Sequence, residues 1–207
     1  VKIIKPSYEI LDVINPEQVM KKLELAGRVC YKSEDRIKEG SAERFVRNII
    51  KNGHESVIEH FSFSVRFICD RGVTHEMVRH RLASYSQEST RYCNYSKDGF
   101  GNEITVIKPC YLDEQTRSYL MWVRACETAE KHYFWMLDCG CTPQEARAVL
   151  PNSLKTEIIM TANLREWRHF LKMRTSKQAH PQIRELALPL LRELQELLPA
   201  VFDDIGL

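Results

Sequence analysis

No stretch of roughly 18 consecutive apolar residues, the length that reads as a membrane span, occurs in this chain. Its first ten residues mix charged and apolar side chains, which argues against a signal-peptide core. Charge of one sign is missing too. Lysines and arginines number 30 against 28 acids, a formal charge of +2, too balanced for a general polyanion or membrane-surface binder. Gly99 and Gly101 stand two apart, but no third glycine follows at the dinucleotide spacing, so neither a Rossmann fingerprint nor a phosphate loop is present. Cysteine is not scarce, with seven residues, but it lacks pattern. Cys139 and Cys141 flank a glycine without a second pair at metal spacing. An odd number of cysteines without a secretory signal suits free thiols in a reducing cytosol, so a cytoplasmic protein is expected and the Asn94-Tyr95-Ser96 sequon is incidental.

What is there suits one globular domain over 1–207: 207 residues, 43% hydrophobic and 28% charged. Asn15-Pro16 reads as a helix start, with Val19, Leu23 and Ala26 on one face until Gly27. A second helix follows Ser41 and stops at Gly53, delivering His54-Glu55-Ser56. From Phe61 to Cys69 the period changes to two, a half-buried strand. After Asp70-Arg71-Gly72 the residues Val73, Met77 and His80 fit a helical face expected to end near Arg81, before a polar stretch from Ser84 to Asn94. Residues 96 to 103 predict a turn, 104 to 107 a short strand, and 113 to 137 a long helix. Thr142-Pro143-Gln144-Glu145 is a capping box opening a short helix that carries Arg147. Leu154 to Ala162 alternates as a second strand, and Asn163, with Glu166 three residues on, caps a helix running towards Arg174. Pro181 starts a leucine-rich last helix that Pro189 should kink. The order implies a mixed α+β domain, mainly an antiparallel sheet flanked by helices.

The histidines of His75-Glu76 and His80 are five apart, and the zinc-protease motif needs four to put both rings on one helical face. No metal is expected. Cys93 lies beside Arg91, yet no neighbouring histidine would activate it as a nucleophile. Arginine placement is the stronger signal: Arg66, Arg71, Arg79, Arg81 and Arg91 in one segment, and Arg165, Arg168, Arg174 and Arg184 in another. A guanidinium fork suits phosphates and the carbonyl and imide edge of a pyrimidine. At a helix C-terminus, Arg79-His80-Arg81 would also interact favourably with the macrodipole by about 0.3–1 kcal/mol without any ligand. That explanation leaves Ser86, Gln87, Ser89, Thr90 and Arg91 unexplained. If the loop is extended, Ser89 and Arg91 share one side of the backbone, an arrangement for one phosphate.

Arg79-His80-Arg81, seven residues, then Ser89 resembles the signature of the flavin-dependent thymidylate synthases. The resemblance continues through Gly53-His54-Glu55-Ser56, Ala146-Arg147 before Leu150-Pro151, Asn163-Leu164-Arg165, and Arg174 after Phe-Leu-Lys-Met, covering roughly residues 45 to 185. It implies the fold of that family and reductive methylation of dUMP to dTMP, with 5,10-methylenetetrahydrofolate as carbon donor, NADPH as reductant and FAD as mediator. Tetrahydrofolate leaves, and no enzymic cysteine acts as nucleophile. The resemblance assigns Arg174 to polarising the uracil, the catalytic position. It assigns dUMP to Glu76, Met77, Val78, Arg79, Gln87, Glu88, Ser89, Thr90, Arg91, Arg147 and Arg174. It assigns FAD to His54, Ser56, Arg79, His80, Arg81, Gln87, Asn163, Leu164, Arg165 and His169. A homotetramer with shared active sites is implied, with neither nucleic acid nor membrane as partner. The competing reading is a noncatalytic nucleotide- or RNA-binding module using the same arginines, with Tyr85, Tyr92 and Tyr95 as stacking platforms.

Overall fold

The computed structural model describes residues 1–97, 99 and 101–206; of the turn expected over 96–103, positions 98 and 100 lie outside the described residues, as does 207. The chain divides into two compact units. The first gathers Val1–Ser7, Phe67–Arg79 and Tyr85–Ile159, and the second Tyr8–Arg66, His80–Ser84 and Met160–Leu207.

Six strands are described: β1 (Lys2–Ile4), β2 (Ser7–Ile10), β3 (Ser62–Asp70), β4 (Ala83–Gln87), β5 (Thr105–Ile107) and β6 (Lys155–Asn163). They form a four-stranded antiparallel sheet of order β2-β3-β6-β4 and a separate pair, β1-β5, which is parallel. The opposed directions of β3 and β6 follow from their hydrogen bonds: Leu164 N donates to Phe61 O and Arg71 N to Asn152 O, each at 3.0 Å. Period two decides what is buried. Phe63, Val65, Phe67 and Cys69 of β3, and Thr156, Ile158, Met160 and Ala162 of β6, are buried, while the intervening residues are half exposed. The α+β class with an antiparallel sheet and helices is as the sequence implies; the parallel β1-β5 pair is an addition.

In the second unit lie α1 (Pro16–Val29), α2 (Ser41–Lys51), α6 (Leu164–Arg174), α7 (Pro181–Leu197) and α8 (Pro199–Phe202). Asn15 and Asn163 cap α1 and α6 as expected, accepting from Gln18 N at 3.0 Å and Glu166 N at 2.9 Å. The apolar face of α6 buries Trp167, whose ring stacks on Phe63 at 5.0 Å and whose indole N–H donates to Phe63 O at 3.2 Å. On the same helix, buried Arg168 pairs with Glu55 and Asp204. α7 runs unbroken through Pro189. In the first unit lie α3 (Arg71–Met77), α4 (Arg117–Asp138) and α5 (Pro143–Ala146). Ile104, Val106, Cys126, Tyr133, Ala146 and Leu154 form a core cluster there, with α4 beginning at its Thr116 cap instead of near 113.

Two local expectations change. α3 ends at Met77, so Arg79-His80-Arg81 occupies the turn before β4 and is not a helix terminus. The stop has a visible cause: the Tyr85 hydroxyl donates to the Met77 carbonyl at 2.7 Å, and Arg79 N bonds back to Glu76 O in a tight turn. Residues 84–94 are not one loop, because 83–87 form β4, a strand polar enough on both faces to hide its alternation.

Candidate functional site

In the first unit the segment after β4 turns sharply. Ser89 O accepts from Tyr92 N at 3.1 Å and Cys93 N at 3.0 Å, while Ser89 Oγ accepts from Arg91 N at 3.3 Å. The extended arrangement expected for Ser89 and Arg91 is therefore replaced by a turn. It buries the Thr90 side chain, and its hydroxyl accepts from Arg147 Nη1 at 3.4 Å. Arg147 is placed by the capping box of α5, which forms as the sequence implies, Thr142 N donating to Glu145 Oε2 at 2.7 Å. Arg91 lies over the exposed Tyr92 ring at 5.4 Å. Two guanidinium groups and two hydroxyls in one unit form a donor set suited to a phosphate.

Neighbouring groups are held firmly. Gln87 Nε2 donates to Thr74 Oγ1 at 3.1 Å and Thr156 Oγ1 at 3.3 Å, leaving its carbonyl oxygen for a ligand. Glu88 pairs with Lys155 at 3.0 Å and accepts from the Tyr95 hydroxyl at 3.0 Å. Burial presses the Lys155 ammonium down, but hydrogen bonds to Glu157 and Glu88 outweigh it and hold the group above its ordinary range. Burial and the neighbouring Glu88 push the Cys93 thiol up, which suits the expectation that it is no nucleophile. Tyr95 is 5% exposed and so offers no stacking platform. Glu76 is half-buried, Val78 and Arg79 are exposed, and Met77 is fully buried.

Most residues the sequence assigned to FAD fall in the second unit: His54, Ser56, His80, Arg81, Asn163, Leu164, Arg165 and His169; Arg174 joins them, whereas Arg79 and Gln87 belong to the first. His54, Ser56, Arg81, Arg165 and His169 are exposed, Asn163 is half-buried, and the Leu164 side chain is buried. Arg165 pairs with Glu59 at 2.6 Å. Cationic forks, imidazole and hydroxyl donors suit the pyrophosphate and carbonyl oxygens of a flavin dinucleotide, and the Asn163 side-chain amide keeps its N–H donors while its oxygen caps α6.

His80 is buried against α6, its ring 5.3 Å from that of His169 and 5.0 Å from that of Phe170. Its Nδ1 lies 3.1 Å from Glu166 Oε1, and its Nε2 accepts from Arg174 Nε at 3.1 Å. An arginine N–H can only donate, so Nε2 is unprotonated and Nδ1 carries the proton. Burial, with the charges of Arg174 and His169, pushes His80 down to about 4, in keeping with a neutral ring. Burial raises the Glu166 carboxyl against the opposing influence of His169. His80, Glu166 and His169 place ligand atoms within 4.8 Å of one another, a metal-sized spacing among the described residues, but the Arg174 guanidinium on the same imidazole disfavours a cation. Sequence reasoning missed Glu166 as a site residue. Its spacing from Asn163 was a true signal of the cap, but the carboxylate turns to His80.

Over most of its length the chain is similar to known proteins. The family profile described as thymidylate synthase complementing protein matches residues 9–200. The chain is 35% identical over 190 residues to the flavin-dependent thymidylate synthase of Geobacter sulfurreducens, covering 88% of this chain and 80% of that one. It is 37% identical over 200 residues to that of Mycolicibacterium gilvum, covering 88% and 78%. Among solved structures it resembles the UMP/dUMP methylase PolB of Streptomyces cacaoi, bound with 5-Br dUMP, with a TM-score of 0.80 and 25% identity over 98% of this chain and 96% of that one.

Proposed function

The chain belongs to the flavin-dependent thymidylate synthase family, and from that membership we propose the division of labour among its residues. It is a methyltransferase that converts dUMP to dTMP with FAD as cofactor. The observation that supports the assignment of the nucleotide site is the reach of Arg147 to the buried Thr90 hydroxyl, which joins two distant motif segments. Ser89, Thr90, Arg91 and Arg147 hold the phosphate. Glu76, the backbone of Met77 and Val78, Arg79, Gln87 and Glu88 border the rest of the nucleotide.

Arg174 is the catalytic residue. Its fixed cation polarises the uracil and favours loss of the N3 proton, the kind of stabilisation that a preorganised charge supplies at little reorganisation cost. His54, Ser56, Arg79, His80, Arg81, Gln87, Asn163, Leu164, Arg165 and His169 would hold FAD, the cationic side chains of Arg81 and Arg165 suiting its anionic part. When bound, the flavin supplies the reducing equivalents. NADPH and 5,10-methylenetetrahydrofolate are the other substrates. The chain acts as one domain within a cytoplasmic homotetramer whose subunits share active sites, because FAD, a nucleotide and a folate present more surface than one chain of this size readily encloses. Among the described residues no helix is long and apolar enough to cross a membrane.

The test is direct. Purified protein is expected to show a flavin spectrum and to make dTMP only when dUMP, methylenetetrahydrofolate and NADPH are all supplied. A colourless protein that binds polymeric RNA in a salt-sensitive way and cannot take up FAD would support the binding-module reading instead. Elution at monomer mass with FAD bound and full activity would contradict the tetramer.

A further inference from the structure

We infer that Glu166 is a positioning residue for this reaction, acting through the His80 imidazole to fix the catalytic guanidinium of Arg174. The inference rests on the assignment of uracil polarisation to Arg174.

Glu166 is the third residue of α6 and Arg174 its last, so their backbones lie about 12 Å apart along the axis, beyond the one-turn spacing of a local helical ion pair. His80, from the turn between α3 and β4, spans the gap. Its Nδ1 meets Glu166 Oε1 at 3.1 Å and its Nε2 meets Arg174 Nε at 3.1 Å. Proton bookkeeping fixes the order. The Arg174 N–H needs an acceptor at Nε2, a neutral imidazole offers one only when its proton sits on Nδ1, and the Glu166 carboxylate selects that tautomer by accepting from it. Reversing any one bond would set N–H against N–H or lone pair against lone pair.

The surroundings leave little slack. Glu166 is 5% exposed and His80 is 4% exposed, so neither can exchange its partner freely for water. Phe170 and His169 flank the imidazole, and the Asn163 cap fixes where α6 begins and hence where Glu166 stands. A buried carboxylate is costly unless it is hydrogen-bonded. Here that bond runs to the imidazole, His80 Nδ1 lying 3.1 Å from Glu166 Oε1. Both ring nitrogens of His80 are engaged in this chain of bonds. Outer partners that orient metal-bound imidazoles carry about ten- to hundred-fold in activity, and an effect of that order is expected here.

The experiment compares Glu166→Gln, Glu166→Leu, Arg174→Ala and the double variant Glu166→Leu/Arg174→Ala, each loaded with FAD. Glu166→Gln keeps an acceptor for Nδ1–H and is expected to retain most of kcat. Glu166→Leu is expected to lose roughly ten- to hundred-fold in kcat with little change in KM for dUMP and with FAD still bound. In the Arg174→Ala background the Glu166→Leu penalty should vanish, since the group it positions is gone. Equal kcat loss in Gln and Leu variants, or a Leu penalty that persists without Arg174, overturns the inference. If Arg174→Ala itself leaves kcat intact, the assignment of Arg174 is what fails. Should Glu166→Leu not fold, Glu166→Ala takes its place in the same comparison: a kcat loss that Gln spares and that vanishes without Arg174 supports the relay, and a loss of ten-fold or more in Glu166→Gln, or none in Glu166→Ala, contradicts it.

Discussion

Arg174 donates through Nε to Nε2 of His80 at 3.1 Å, a bond that joins residues 94 positions apart and leaves the terminal nitrogens of the guanidinium to face other partners. The same imidazole is anchored on its other side by Glu166, so the orientation of the cation is set by groups that are themselves buried.

Arg174→Ala should lower kcat by about 10²–10³ while retaining FAD, the scale seen when one preorganised transition-state donor is removed. Arg147→Ala should chiefly raise KM for dUMP, since it removes a phosphate contact and spares the reacting ring. Steady-state kinetics beside flavin absorbance separate the two. Equal loss of FAD in both variants would contradict this division.

The His80 imidazole should stay neutral at pH 6, with its proton on Nδ1, and this is measurable by NMR of a labelled ring. Its folded value near 4 lies below the ordinary value of 6.5, so its contribution to stability is complete above about pH 6.5 and is lost as pH falls towards 4. Glu166 works in the opposite sense, because burial raises its carboxyl and makes it bind a proton more readily in the fold. Comparison with His80→Gln isolates the histidine. A ring that titrates at 6.5 in the folded protein would contradict the assignment.

Asn163→Ala should destabilise the protein by about 1 kcal/mol, through loss of the cap on Glu166 N. For a chain of this size that is a fall in Tm of roughly 2–4 °C. Thermal melting checks it, and an unchanged Tm would mean the cap contributes nothing measurable.

Cys93→Ala should keep most of its turnover. The thiol is half-buried and pushed up by burial and by Glu88, so it is a poor thiolate. Near-complete loss of dTMP formation with FAD and dUMP still bound would make Cys93 a nucleophile after all.

Much of the fold could be read from the chain because its signals were local. β3 and β6 declare themselves by alternation, and Asn15 and Asn163 by their place before apolar helical faces. β4 did not, since Ala83, Tyr85 and Gln87 on one side and Ser84 and Ser86 on the other give no hydrophobic contrast. The end of α3 escaped as well, because a tyrosine hydroxyl eight residues later takes the terminal carbonyl. Of the candidate site, the arginines and the Ser89 segment were visible through the resemblance, but the partners that orient them were not. Glu166 lies 86 residues from His80, and Thr74 and Thr156 hold Gln87 through contacts that no spacing rule records.

The most direct test of the central assignment is to identify the folate released during dTMP formation. Protein loaded with FAD and given dUMP, NADPH and 5,10-methylenetetrahydrofolate should yield dTMP and tetrahydrofolate in equal amounts. Dihydrofolate in place of tetrahydrofolate, or no dTMP from a fully flavinated protein, would contradict it.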